Sequence, residues 1–178
     1  MPTNDSARAR RRSARASLTH ASLSVQAQLL SLLDEAFDHV SWHGPTLLGS
    51  LRGVSADAAA WRPSPRRHNI WEVAVHAAYW KYAVRRRLAG GKRGSFPLKG
   101  NNWFPRPSGG ADAAAWQQDQ RLLIEQHTQL REAVAGLTVR DLARPIGTRS
   151  NAAFIVRGIA AHDLYHAGQV QLLKRLQR

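Results

Sequence analysis

The chain has 178 residues, 43% of them hydrophobic, and a formal net charge of +14. That length allows one domain with a sizeable core. The absence of cysteine excludes disulfides, thiolate ligands and a cysteine nucleophile, so a bound metal would have to rest on histidine or carboxylate.

Residues 1–17, "MPTNDSARARRRSARAS", carry five arginines against one aspartate. No apolar segment follows that could make them a secretory signal. They read as a disordered basic arm ahead of a domain over 18–178. No run approaches the roughly 18 apolar residues of a membrane span, so no membrane partner and a cytoplasmic setting are expected. The arm accounts for +4 of the charge and leaves about +10 on the body, a field that attracts phosphates, anionic cofactors and nucleic acid. The basic run lacks interleaved aromatics and fits no nucleic-acid motif, so a solvated arginine-rich surface is the simpler reading.

Four segments with helical periodicity follow, with no clear strand pattern. The first spans about Ser24 to Arg52, with a seam of Leu30, Leu33, Phe37, Val40, Gly44, Leu47 and Leu51. The three-four spacing continues through "WHGP", which predicts one helix in register with a kink at Pro45. Residues 54–68 form a connector. The second helix starts at Asn69, a good N-cap, with Glu72 three residues on as in a capping box. It should run to about Leu88, with Val73, His76, Trp80 and Ala83 as one inward stripe.

Residues 89–110, "AGGKRGSFPLKGNNWFPRPSGG", are too long and too rich in Gly and Pro for a plain bundle turn. Phe96, Trp103 and Phe104 favour a lid packed on the body over a free tail. The third helix runs from about Asp112 to Gly136, with Trp116, Gln120, Leu123, His127, Leu130 and Val134 on its seam and Leu137 just beyond. The fourth begins near Asn151, with Ile155, Ile159, His162, His166, Gln169, Leu173 and Leu176. Four such helices predict an all-α four-helix bundle with a long loop between helices 2 and 3.

His76, His127, His162 and His166 thus fall on core seams. A lone histidine there is most often a packed residue with one hydrogen-bond partner, but several are harder to satisfy. Burying an uncompensated polar group costs about 1–3 kcal/mol, and few carboxylates lie on these seams. His162 and His166 are four apart in "HDLYHAGQ", on one helix face with Cβ atoms about 5–6 Å apart. Two imidazoles can therefore meet one ion, at about 2.0–2.1 Å each for zinc. His76, from another helix, is the expected third ligand. Gln169 lies one turn past His166 on the same face, where it could bond a ligand or a metal-bound water, and Tyr165 could bring a phenol to the rim. Both are candidate catalytic groups. Asp163, about 100° round the helix from His162, reads as a surface residue. His43, beside Pro45, and His127 are candidate pocket residues; His20, His39 and His68 read as peripheral.

Three stretches carry a likeness. "HDLYHAGQVQLLKRL", "WRPSPRRHNIWEVAVHAAYWK" and "FDHVSWHGPTLLGSLRGV" resemble, in that order, the last-helix signature, the second-helix segment and the first helix of the DinB-like (DinB/YfiT) superfamily. The likeness covers roughly residues 25–177. It implies an up-down-down-up bundle and a metal triad that maps onto His76, His162 and His166, the same residues that periodicity singles out. It also implies a metal-dependent protein, with thiol-dependent S-transferases and a thiol-dependent isomerase among members of known role and many members of none, so it names no substrate.

The first expectation is therefore an enzyme that moves a low-molecular-weight thiol onto a small electrophile. The divalent ion would be zinc or nickel by ligand type, with iron or manganese open. Arg93 or Arg106, near the lid, could meet a carboxylate of the thiol. A non-catalytic metal- or ligand-binding module of sensory or stress-response role comes second, and a nucleic-acid-associated basic protein third. Bundles of this kind often pair through exposed apolar faces, which makes a homodimer an expected assembly.

Overall fold

In a computed structural model, which describes residues 23–91 and 95–177, the apolar seams close into an all-α bundle. The basic arm, His20 and Arg93 lie outside the described residues. The main helices are α1 (Val25–Phe37), α4 (Ile70–Leu88), α5 (Ala113–Ala135) and α7 (Ala152–Leu176); α2 (Leu47–Leu51), α3 (Ala56–Ala60) and α6 (Val139–Ala143) are short. A small antiparallel pair, β1 (Pro145–Ile146) and β2 (Ser150–Asn151), leads into α7.

The direction of each helix follows from its cross-contacts. Trp71 Nε1 donates to Asp119 Oδ2 at 2.6 Å and Lys81 Nζ lies 3.3 Å from His127 Nδ1, so α4 and α5 run parallel. Gln26 bonds the carbonyls of Val134 and Leu137, Asp34 pairs with Arg131, and Phe37 stacks on His127, so α1 runs against α5. Lys81 meets Asp163, and Leu88 O accepts from Arg144, just ahead of α7, so α7 runs against α4. The arrangement is up-down-down-up.

Local chemistry sets the helix ends. Ser24, Asn69, Asp112 and Asn151 each accept a first-turn N–H, satisfying a donor that the helix itself leaves open. Asn69 also donates to the carbonyls of Ala60 and Pro107, which fastens the connector and the long loop to the start of α4. Glu72 does not close a capping box. Its carboxylate is engaged instead by Arg62, by His68 and by the Arg106 N–H.

The first helix departs from the expectation. α1 stops at Phe37, and Thr46 caps a separate α2 by accepting from Gly49 N. Between them Gly44 takes φ +110, which no helix accommodates, and Pro45 has no N–H to continue the ladder. The apparent seam also lacks a core to face there: Val40 is 99% and Trp42 101% exposed.

Two apolar clusters fill the bundle. One gathers Trp71, Val75, Trp116, Leu123 and Val170, and the other Leu33, Val84, Leu130, Val134 and Val156. Full burial of each such side chain stabilises by about 1.5–3 kcal/mol. Between the clusters lies a polar layer that includes Lys81, His127, Asp163 and His166, all buried.

Candidate metal centre

His76 sits in the second turn of α4, and His162 and His166 on successive turns of α7. Antiparallel packing brings all three rings together. His162 Nε2 lies 3.2 Å from His76 Nε2 and 3.0 Å from His166 Nε2, and one ligand atom from each residue falls within 4.8 Å of the others.

The far side of two rings is already occupied. His76 Nδ1 lies 2.8 Å from the Asn102 carbonyl, and His166 Nδ1 lies 2.6 Å from Gln169 Oε1. Both oxygens only accept, so both Nδ1 atoms carry the proton and both Nε2 atoms present a lone pair. Burial is the main cause of the lowered basicity of all three rings: it lowers His76 despite the Asn102 bond, brings His162 to about 3 together with its two histidine neighbours and Lys81, and brings His166 to about 4 against the pull of Gln169. At neutral pH the rings are uncharged.

A proton on His162 Nε2 could serve only one of the two facing lone pairs. His162 Nδ1 is itself buried without a hydrogen-bond partner, so the ring's polar contacts are those at Nε2. A cation would satisfy all three nitrogens at once. Tetrahedral nitrogen ligands about 2.0–2.1 Å from zinc stand about 3.4 Å apart, close to the spacings seen here. The donor set fits a borderline-soft divalent metal.

The long loop roofs the cluster as a lid. Trp103 stacks on His76 with ring centroids 3.9 Å apart. Asn102, a non-glycine residue at φ 58, gives its carbonyl to His76 and its side-chain oxygen to Trp80 Nε1 at 2.9 Å. Asparagine adopts this backbone region more readily than most residues. Phe96 and Phe104 pack against Tyr79.

The other candidates are distributed differently. Gln169 touches the site by holding His166. Tyr165 is 64% exposed, with its ring centroid 5.1 Å from that of His166. His127 stays out of the cluster, stacked on Phe37 and bonded to Lys81, and His43 is exposed in the break after α1. Arg106 is tied to Asp119 at 2.7 Å and so is not free for a ligand. Asp163 is not a surface residue: it is fully buried and paired with Lys81. α7 is covered by α4 on one side and α1 on another, so its buried arc is wider than a single seam. Two residues escaped sequence reasoning. Asn102 acts through its backbone, which leaves no side-chain pattern, and the nominally peripheral His68 stacks on Trp103 at 3.6 Å. The "GNNWF" turn was the available signal for the first.

Among known families, residues 39–170 match the model described as the DinB superfamily. The match begins just past α1 and includes all three histidines. No curated protein and no solved structure matches the chain. No helix among the described residues is long and apolar enough to cross a membrane.

Proposed function

The chain belongs to the DinB superfamily, and from that premise we propose that it is a metal-dependent enzyme, a thiol-dependent S-transferase acting on small electrophiles, with His76, His162 and His166 as the metal ligands. The observation that carries the reading is the convergence of three neutral imidazoles whose Nε2 atoms face one another. A bound divalent cation would supply Lewis acidity, stabilising negative charge on sulfur or oxygen.

The chain's own residues do the rest. The Asn102 carbonyl and Gln169 Oε1 fix the tautomer and rotation of His76 and His166, the usual role of groups behind metal-bound imidazoles. Trp103 and Trp80 flank the rings and keep water from that side. The amide nitrogen of Gln169 has no hydrogen-bond partner among the described residues and is free to donate to a ligand, and the Tyr165 phenol stands at the rim. With no cysteine in the chain, the attacking sulfur comes from a small-molecule thiol. That agrees with a cytoplasmic setting, where thiols are kept reduced.

Elemental analysis of the purified chain beside His162→Ala tests the centre. The expected result is about one zinc- or nickel-class ion per chain in the parent and a small fraction of that in the variant. Equal, near-zero metal in both would end the reading. Turnover of the metal-loaded chain against a panel of thiols and electrophiles then tests the transferase assignment.

A further inference from the structure

A cleft of about 550 Å³ opens beside the histidines, within the range of small-molecule sites. Trp103 and Gln169 belong both to its wall and to the contacts of the centre, one stacked on His76 and the other bonded to His166. Leu172, Leu173, Leu176 and Val73 form an apolar wall. Leu172 and Leu176 are still 60% and 54% exposed, although they lie in a concave surface.

The polar lining of the cleft includes Ser64, Arg67 and His68. His68 is held by Glu72, and Arg62 pairs with the same carboxylate at 2.6 Å. The Arg67 guanidinium has no hydrogen bond or ion pair among the described residues, and it is the one arginine or lysine in the lining. The cleft thus offers apolar surface, an uncompensated cation, and two residues, Trp103 and Gln169, that touch the histidines.

We infer that this cleft takes a small molecule with an aliphatic or aromatic body and an anionic end, the body on the Leu172–Leu176 wall and the anion on Arg67, with Gln169 and Trp103 joining the cleft to the histidines. This names a substrate class for the centre, and its catalytic meaning rests on the proposed function; the binding itself does not.

The probes are octanoate, octyl phosphate and uncharged octanol, titrated calorimetrically into the full chain in EDTA and again with added zinc. In EDTA both anions are expected to bind at least about tenfold tighter than octanol, since an ionic hydrogen bond in a partly desolvated cleft is worth that much. The tighter of the two identifies the anionic group. Arg67→Gln should lower anion affinity about tenfold and leave octanol within about twofold, whereas Leu176→Asp should weaken all three. Circular dichroism of both exposed-site variants should match the parent. Anions that bind no better than octanol, or that are indifferent to Arg67→Gln, overturn the inference. So does binding seen only with zinc and lost in His162→Ala, because the metal rather than Arg67 would then hold the anion. A chain that takes up no zinc but binds octanoate through Arg67 sinks the metal reading and upholds this one.

Discussion

Lys81 of α4 and Asp163 of α7 form an ion pair whose two side chains are wholly shielded from solvent. Burial drives the lysine toward lower and the aspartate toward higher pKa, and their mutual attraction opposes both. The pair ties together the two helices that carry the histidines, one residue from His162 and five from His76. Lys81 also lies over the Phe37 ring and beside His127, so the polar layer joins α1, α4, α5 and α7.

Removing one partner of such a pair strands the other in a medium that cannot solvate it. Lys81→Met is therefore expected to destabilise the fold by about 3–5 kcal/mol, and Lys81→Met with Asp163→Leu by clearly less than the sum of the two single changes. Urea denaturation of the three variants measures this. Additive losses would show that the two groups do not act as a pair.

Gln169 holds His166 through Oε1 at 2.6 Å. Gln169→Ala frees that ring to rotate, and zinc affinity should fall about 10–100-fold with the fold intact. Gln169→Glu keeps an acceptor in place and should restore most of the loss. A chelator-competition titration reads both. Equal affinities in parent and Gln169→Ala would remove Gln169 from the positioning of the centre.

The sequence is most informative where local chemistry and tertiary packing agree. Asn69, Asp112 and Asn151 mark the starts of α4, α5 and α7 as caps, and the three-four spacing carries His76, His162 and His166 to the interior. The reading fails where spacing survives without burial. Val40 keeps the register of Leu33 and Phe37, but past Phe37 no helix packs opposite it, and Gly44 and Pro45 turn the chain instead. It also fails where one helix has two buried sides, as α7 does at Asp163. Asn102 is invisible for a different reason: its contribution to His76 is a carbonyl oxygen, which every residue possesses, aimed by a backbone conformation that only the folded loop defines.

Glu72 anchors the mouth of the cleft. Burial alone would raise its carboxyl, but hydrogen bonds from Arg62 and His68 and from the Arg106 N–H bring it down to about 2. Arg62→Ala removes the strongest of these partners and leaves a buried carboxylate short of donors, so a loss of about 2–4 kcal/mol is expected by thermal or chemical denaturation. Arg62→Lys, which cannot make the two-pronged contact seen at Oε1 and Oε2, should recover only part of it. Full recovery by lysine would mean that charge alone, without the forked geometry, is enough.

Acid should destabilise the chain in two steps, because two kinds of group are lowered in the folded state. His127 is brought to about 3, chiefly by burial and next by the Lys81 charge, against a weaker upward pull from Asp34. Unfolded, the same ring titrates near 6.5. Above pH 6.5 it is neutral in both states and costs nothing. As pH falls from 6.5 toward 3 the unfolded chain gains a proton that the folded chain refuses, and stability is lost. Between pH 7.5 and 5 that loss is about 2 kcal/mol from this ring alone. Glu72 adds a second loss lower down: its stabilisation is complete above about 4.5 and disappears as pH falls toward 2. The three cluster histidines, also lowered by burial, add to the first step, and the His127 share is separable by substitution. His127→Leu removes one of these titrating rings and should reduce the dependence of unfolding free energy on pH between 7.5 and 5 by that same ~2 kcal/mol, leaving the other histidines' share and the decline below 4.5 in place. Denaturant titrations at pH 7.5, 6 and 5 on parent and variant measure the difference, and parallel pH profiles would mean that His127 is protonated inside the folded bundle, against its burial beside a lysine.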